Sequence, residues 1–332
     1  MSFSQLLFSA AVVSLLTIAH SDPTHRGSNP VRVSSGTELP QYMSGLDQCD
    51  KLIQVIKVLR SIEDDDKNIS ELVKKFEKHL PKDREIGKIR VELDDLIDNP
   101  LVVYRFLMGN EFKFDETVKA LRSSLAWRTA WNYHQIVDEV NKIVKAHPVA
   151  PYEYFPFAGK VLPVLPQIPV FEHLGNGGNL VSFIGCSKDY QPHHVLDRKQ
   201  LIVFQIYMLA YQCRHVDATH IELRSTPNPG ADSSSILKLV RVIDPSNFGL
   251  NSRFLFLVQK IASDNFMEYV ANIVADPHTW TLRACLELAR KFISDERIMN
   301  KLETPKPKQL PAEFWPQWIG KANYENIFAT EL

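Results

Sequence analysis

Cysteine is scarce in this chain, with four residues in 332 and none of them in a Cys-x-x-Cys pair. Structural zinc sites usually draw on such paired thiolates, and disulfide scaffolds need a much higher density of cysteine. We therefore expect neither kind of site. We predict that all four cysteines are free, mostly buried thiols: Cys49, Cys186, Cys213 and Cys285.

An excess of charge of either sign is also absent. The chain has 38 Lys and Arg against 39 Asp and Glu, which gives a net charge of -1. Proteins that bind nucleic acid in general carry a strong basic excess, so we expect no nucleic-acid partner. With 45% hydrophobic residues, the chain is long enough for one large domain or two modest ones.

The motifs of common enzyme classes are missing as well. Neither the phosphate loop GxxxxGK[ST] nor the dinucleotide fingerprint GxGxxG occurs. Gly185-Cys186-Ser187 begins like the turn that holds a nucleophilic serine, but the fifth position is Asp189 instead of glycine. We predict a non-enzymatic protein with no catalytic residues and no cofactor. An esterase that uses Ser187 stays as an alternative.

The histidines do not form a recognisable metal site. His193 and His194 are adjacent, so their side chains diverge on any regular element and cannot easily share one ion. His215, His220 and Glu222 are better spaced but lack a framework of Cys or Asp around them. We expect no metal, and we predict surface or capping roles for these side chains.

What the chain does contain begins with an uncharged apolar run over residues 6–19, followed by Ala19-His20-Ser21. This pattern is typical of a signal peptide with a small-x-small cleavage site, although no Lys or Arg precedes the run. The run is shorter than the roughly 20 residues of a membrane span. A cleaved signal peptide over 1–21, an intact leader and a start at Met43 remain open. Residues 22–45 are rich in Ser, Pro and Gly, which predicts disorder.

Helical periodicity follows. Apolar residues recur at helical spacing over 52–59 and over 72–80, where Pro81 ends the pattern. Asn68-Ile69-Ser70 is a glycosylation sequon, but Asn68 with Glu71 also matches a helix cap, which we favour. Further helices are predicted from Asn99-Pro100 and after Asp115. Residues 46–131 are therefore predicted to form a helical N-terminal subdomain.

The pattern changes at residue 148, where a proline-rich stretch excludes a long helix and suggests short strands between 161 and 171. Beyond it, buried strands are predicted at 181–184, 236–243 and 270–274. Helices are predicted at 197–211, 254–261 and 280–293, the first of them apolar on nearly every side. Strands that alternate with helices predict an α/β fold with a mostly parallel sheet and helices packed on it.

Six segments together are similar to one known family. They are YRFLMGNEFKFD at 104–115, Trp127-Arg128, Ile168–Gly175, Val240–Asp244, Ile273–Pro277, and Leu310-Pro311 with Gly320. Their order and spacing resemble the CRAL-TRIO family of lipid-binding proteins. The resemblance implies a CRAL-TRIO domain over 148–321 that follows the helical subdomain and encloses an apolar lipid pocket, with a gate helix at 280–293.

The same resemblance implies a function. It indicates a non-catalytic, monomeric, cytoplasmic protein that binds one hydrophobic lipid, contacts membranes transiently and transfers the lipid between them. If residues 1–21 are a signal peptide, the protein would instead enter the secretory pathway. The alternative function is a regulatory module that binds a small GTPase or another signalling protein and keeps the pocket as a vestige.

The implied site consists of a pocket lining and a headgroup region. The lining residues are expected on strands, on the buried helix and on the gate helix: Val170, Phe183, Phe204, Tyr207, Tyr211, Val242, Ile273, Leu282, Leu286, Ala289 and Phe292. Glu268 and Lys301 are the headgroup candidates. Asn110 and Glu111 stand where phosphoinositide binders of the family carry basic residues, which argues against phosphatidylinositol as the ligand.

Overall fold

The computed structural model combines a helical N-terminal region with a five-stranded, mostly parallel sheet, which confirms the predicted α/β fold class. The residues that the structure describes are 39–43, 45–78, 80, 84–163, 167–168, 179–184, 197–225, 236–243, 261–275, 301–305, 309 and 311–319. No helix among these residues is long and apolar enough to cross a membrane.

The described chain opens with a turn of 3-10 helix, Gln41–Met43, in which Tyr42 and Met43 are buried within the stretch 22–45 that was predicted to be disordered. Two amphipathic helices follow, α1 (Cys49–Arg60) and α2 (Lys67–Glu77). Helix α1 buries the apolar face that its periodicity predicts. The prediction that Asn68 caps α2 was wrong, because Asp66 is the N-cap. Its carboxylate accepts hydrogen bonds from the backbone N–H groups of Asn68 (2.9 Å) and Ile69 (3.1 Å), which places Asn68 in the first turn.

We expect Asp66→Ala to lower the free energy of unfolding by about 1 kcal/mol, as is usual for the loss of an N-cap. The variant also loses the contact between Asp66 and Arg122, whose Nη1 lies 3.3 Å from the carboxylate. Urea unfolding would measure the change. Asp65→Ala is the matched control, because Asp65 is an exposed neighbour, and it should change the stability by less than about 0.5 kcal/mol. Equal effects of the two variants would contradict the cap.

Four more helices complete this region: α3 (Ile89–Ile97), α4 (Pro100–Gly109), α5 (Phe114–Trp131) and α6 (Tyr133–Ala146). Helix α4 begins with proline at its first position, as predicted, since the missing N–H has no helical partner there. The sequence interpretation did not identify α3 and α6. Asn132 alone joins α5 to α6 in a left-handed conformation (φ 46°), so the helical region continues beyond residue 131.

A buried carboxylate secures the start of α6. Glu92 of α3 is completely buried, and its Oε1 accepts a hydrogen bond from the backbone N–H of His134 (2.8 Å) in the first turn of α6. The same side chain therefore connects α3 with the N-terminus of α6. Its second oxygen, Oε2, is buried and has no hydrogen-bond partner.

The proline-rich stretch is more helical than predicted. Pro151–Tyr154 forms a turn of 3-10 helix, and Ala158–Val161 forms the short helix α7, whereas no helix was predicted here and short strands were expected only between 161 and 171. The only described strand of this stretch is β1 (Gln167–Ile168). Proline is compatible with the first turn of a helix, so the composition excluded a long helix but not these short ones.

The sheet has the order β1-β2-β3-β4-β5. Its other strands are β2 (Leu180–Ile184), β3 (Leu239–Ile243), β4 (Val270–Ala275) and β5 (Leu302–Glu303). Strand β1 pairs antiparallel with β2, and the remaining pairs are parallel. The long helix α8 (Arg198–Ser225) connects β2 to β3, as a parallel pair requires. All residues from 201 to 213 are buried, which confirms that the segment predicted to be apolar on nearly every side is enclosed, whereas the C-terminal part of α8 is partly exposed. The last described helix is α9 (Pro311–Ile319).

Candidate functional site

The sheet has two faces that carry different side chains. On β3, Arg241 lies on the face towards α8, where its Nη2 donates to Oε1 of Gln212 at 3.1 Å. Val240 and Val242 flank Arg241 in the strand and so point to the opposite face. We call that side the valine face. Its buried apolar cluster is separate from the main core and consists of Val181, Val240, Val242, Val274, Phe314 and Trp315.

Three of the predicted lining residues do not lie on the valine face. Phe204, Tyr207 and Tyr211 of α8 are buried in the main core together with the N-terminal helices. The Tyr207 hydroxyl donates a hydrogen bond to the carboxylate of Glu139 on α6. The rings of Tyr207 and Tyr211 each lie 5.9 Å from the ring of Phe155. The sheet therefore separates these aromatic side chains from Val242, and one cavity cannot be lined by both groups.

The other lining candidates are placed as follows. Ile273 is buried and in register with Arg241, which assigns it to the α8 side of the sheet. Phe183 is in register with Val242. The remaining candidates lie outside the described residues: Val170, Leu282, Leu286, Ala289 and Phe292.

The two predicted headgroup residues are in direct contact. Lys301 Nζ lies 2.8 Å from Oε1 of Glu268, and Lys238 Nζ lies 2.5 Å from Oε2. We call these three residues the Lys-Glu-Lys cluster. They precede strands β3, β4 and β5, so the parallel sheet brings them to one edge. Lys238 was missed, because its position just before an apolar strand gives no sign of a partner 30 residues away.

The electrostatics of the cluster keep Glu268 ionised. Burial alone would raise the pKa of this carboxyl, but the ammonium groups of Lys301 and Lys238 outweigh it and hold the pKa below its ordinary value. Two cations around one carboxylate leave a net charge of about +1 at neutral pH. All three side chains keep some exposure to solvent, so the cluster is accessible to an anion.

A buried ion pair contacts the backbone next to the Lys-Glu-Lys cluster. Arg105 of α4 donates from Nε (3.1 Å) and Nη2 (2.9 Å) to Oδ1 of Asp217 on α8. Its Nη1 donates to the carbonyl oxygen of Glu268 (3.0 Å), and its Nη2 also reaches that of Leu237 (2.9 Å). Tyr269 donates from its hydroxyl to Oδ2 of Asp217 at 2.6 Å. The arginine of the resemblance motif thus ties the helical region to the residues before β3 and β4.

Of the two roles predicted for His220, surface or capping, the structure excludes the surface role. His220 is buried in the same region, and its Nδ1 accepts a hydrogen bond from the backbone N–H of Leu237 at 3.3 Å. Burial lowers its pKa to about 4, with a contribution from the nearby guanidinium groups of Arg105 and Arg224, so the ring is neutral at pH 7. No group of three or more His, Cys, Asp or Glu side chains within the described part of the chain is arranged to hold a metal ion.

The cysteine prediction can be checked at two positions. Cys213 is a free, fully buried thiol, as predicted, and Cys49 is free but only half-buried. Burial raises the pKa of Cys213 well above its ordinary range, so this thiol is not a nucleophile at neutral pH. Cys186, Cys285 and the esterase candidate Ser187 lie outside the described residues.

An open, mostly apolar groove of about 450 Å³ lies between α1, α2 and α5. Val58, Ile69, Leu72, Phe114 and Val118 form much of its lining. Asn68, Asp115, Lys119 and Arg122 complete the lining, and Arg122 already contacts the cap residue Asp66. The groove belongs to the helical region and is distinct from the valine face.

Comparisons with known proteins identify no family for this chain. No protein-family model matches it, and no curated protein matches it. Among solved structures, the crystal structure of Sfh5 is similar to it at 16% sequence identity and a TM-score of 0.36. The similarity covers 77% of this chain and 80% of that chain. Values of this size establish neither a family nor a function.

Proposed function

We propose that this protein binds a hydrophobic lipid against the valine face of its sheet, without catalysis. The observation that carries this proposal is the composition of that face, where four valines meet the rings of Phe314 and Trp315. None of these side chains is charged, and the cluster is separate from the main core. An apolar wall of this kind suits an acyl chain, since transfer out of water stabilises each buried methylene by about 0.8 kcal/mol.

The Lys-Glu-Lys cluster provides the polar end of the proposed site. Lys238 precedes Val240 by two residues, so an extended chain directs its side chain to the valine face. Its ammonium group and that of Lys301 would attract an anionic headgroup while the acyl chain lies along the valines. Lipid sites commonly combine an apolar lining with a few such polar groups. Transfer of the bound lipid between membranes is the corresponding role.

Because the predicted lining residues lie on opposite sides of the sheet, variants on each side can be compared for lipid binding. We expect Val242→Phe to weaken binding of NBD-labelled phosphatidylcholine at least tenfold, because the larger side chain takes the space of about two methylenes, worth about 1.6 kcal/mol. Phe204→Leu is the control on the α8 side of the sheet and should leave the affinity unchanged. Circular dichroism would verify that both variants fold.

Two results would contradict the proposal. One is unchanged lipid binding by Val242→Phe, together with weaker binding by Phe204→Leu, which would place the ligand on the other side of the sheet. The other is failure of the unaltered protein to bind the labelled lipid and to carry any lipid after purification, as judged by mass spectrometry of an organic extract.

A regulatory protein-interaction module is the second candidate function. The observation that favours it is the open groove between α1, α2 and α5, which is apolar enough to accept side chains of a partner. Lipid extraction separates the two functions. A protein that purifies without lipid, but loses a protein partner when Leu72 is replaced by aspartate, would support the second candidate.

A further inference from the structure

Three exposed apolar side chains lie close together in sequence between α6 and α7. Val149 is 59% exposed, Tyr154 54% and Phe157 38%, although all three types are usually at least partly buried. Gly159 belongs to the same segment, and a Cβ atom placed there would meet no other atom within 4 Å. These residues therefore lie on an open part of the surface. We call residues 147–160 the aromatic turn.

The aromatic turn is held firmly although its tips are exposed. Tyr152, Phe155 and Ala158 alternate with the exposed residues and are buried in the main core. Ala150 and Phe157 have positive φ angles (52° and 68°). Residues other than glycine rarely adopt this backbone conformation, and they keep it where surrounding contacts enforce it. The backbone at Phe157 is therefore held in a strained conformation, and its side chain is still exposed to solvent.

Stacking fixes a second exposed ring. The rings of His147 and Tyr154 lie parallel, with an interplanar angle of 5° and 3.5 Å between centroids. A tyrosine held by stacking loses little conformational freedom when it contacts a partner. The apolar side of the turn is therefore organised before any partner is bound.

Positive charge surrounds the exposed apolar side chains. Lys142 and Lys145 at the end of α6 and Lys160 in α7 are all exposed. Lys160 Nζ lies 3.2 Å from Oε1 of Gln200, which brings the start of α8 to the same edge. Between residues 142 and 160, Glu153 is the only acidic residue. Three cations against one anion favour a negatively charged partner.

We propose that the aromatic turn is a membrane-contact surface that inserts Val149, Tyr154 and Phe157 between the headgroups of an anionic bilayer. Aromatic residues with a polar tip favour the headgroup region, and each lysine near an anionic surface increases the affinity about fivefold. The exposed side chains stand on a turn with open space around Gly159, which suits a flat, deformable surface better than a folded protein. The proposal deepens the proposed lipid function and rests on it for the choice of a lipid partner.

Sedimentation of the full chain with vesicles tests this surface. We expect the protein to pellet with phosphatidylcholine vesicles that contain phosphatidylserine, and the triple variant Val149→Ser, Tyr154→Ser, Phe157→Ser to bind at least tenfold more weakly. The control replaces two other exposed apolar residues outside the aromatic turn, Ile86→Ser (48% exposed) with Val91→Ser (38% exposed), and should bind like the unaltered protein. Equal binding by the triple variant would overturn the proposal.

Charge and insertion can be measured separately. Lys142→Gln with Lys145→Gln should weaken binding about twentyfold on vesicles with phosphatidylserine, and much less on pure phosphatidylcholine. Tyr154→Trp should give a fluorescence that brominated lipids quench. The absence of both vesicle binding and quenching would overturn the proposal and leave the turn as a surface for a protein.

A failure of the aromatic turn to bind vesicles can be distinguished from a failure of the valine face to bind lipid. Binding of NBD-labelled phosphatidylcholine by the triple variant should remain unchanged, since the valine face lies elsewhere in the sheet domain. A protein that pellets with vesicles through the aromatic turn, yet holds no lipid, would retain this inference and refute the proposed function.

Discussion

Arg105→Met is expected to lower the free energy of unfolding by about 3–5 kcal/mol, the usual cost of removing one partner from a buried ion pair. Arg105 is completely buried, and its guanidinium makes four hydrogen bonds, two of them to Asp217. Methionine fills a similar volume but leaves the carboxylate of Asp217 buried, and among the described residues its remaining side-chain hydrogen bond is the one from the Tyr269 hydroxyl. Chemical unfolding followed by circular dichroism would measure the loss.

An exposed ion pair provides the control for this prediction. Arg90 and Asp94 form a pair at 2.7 Å on α3, with side chains that are 46% and 52% exposed. Arg90→Met should therefore change the stability by less than about 1 kcal/mol. A double-mutant cycle with Asp217→Leu should recover part of the loss, since no unpaired charge then remains. If Arg105→Met cost no more than Arg90→Met, the ion pair would not be the link between the helical region and the sheet.

The second large effect concerns Glu92, whose burial raises its pKa from 4.5 to about 7. The Arg128 guanidinium and the hydrogen bond from His134 oppose this shift but do not cancel it. Since one pKa unit corresponds to about 1.4 kcal/mol, ionised Glu92 destabilises the folded state by about 3 kcal/mol at pH 8. We therefore expect Glu92→Gln to stabilise the protein at pH 8 by up to about 3 kcal/mol.

The pH dependence follows from the order of the two pKa values. Below pH 4.5 Glu92 is protonated in both states and contributes no difference. Between pH 4.5 and about 7 the unfolded chain releases a proton that the folded protein retains, so the stability falls as the pH rises. Above that range the penalty is constant. Glutamine keeps an oxygen for the N–H of His134 but cannot ionise, so its advantage should appear only above about pH 5.

Nearby groups also titrate. Comparing the stability of the unaltered protein with that of Glu92→Gln distinguishes most of their contribution from that of Glu92. The pKa of His134 is raised, first by its hydrogen bond with Asp95, and its contribution to stability is likewise lost as the pH rises. Most of this contribution comes from Asp95 and Asp138 and is present in both proteins, so it largely cancels in their difference, measured by urea unfolding from pH 5 to 8. The smaller part that the charge of Glu92 adds to the His134 pKa is lost in the variant and belongs to the Glu92 effect. A difference that stays constant over this range would show that Glu92 is already ionised in the fold at pH 5.

Local sequence patterns predicted the helices and strands whose formation depends mainly on neighbouring residues. The apolar spacing of 52–59 predicted α1, the dipeptide Asn99-Pro100 predicted the start of α4, and the strands β2, β3 and β4 lie where buried runs were predicted. Helix α6 was missed because the helical subdomain was predicted to end at residue 131, whereas α3 lies inside that subdomain and was not recognised as a separate element. A single left-handed residue, Asn132, starts α6 directly after α5, and asparagine alone does not signal such a junction.

The residues that form the candidate site were harder to predict than the helices and strands that carry them. The resemblance selected Glu268 and Lys301, which the structure brings into contact, whereas Lys238 was not selected. Phe204, Tyr207 and Tyr211 were chosen because they are apolar and on a buried helix. Burial was predicted correctly for all three, but hydrophobicity does not distinguish a core that packs on α6 from a face that holds a ligand.

The amino-acid sequence by itself determined the α/β class, the enclosed segment 201–213 of helix α8 and the alternation of strand and helix, because periodicity and turn residues act over a few neighbouring positions. Only the tertiary structure decided which side of the sheet each side chain occupies and which charges meet. Arg105 and Asp217 are 112 positions apart, and Glu268 and Lys301 are 33 apart. Such pairs form because parallel strands and packed helices bring distant segments together, and no local pattern encodes that encounter.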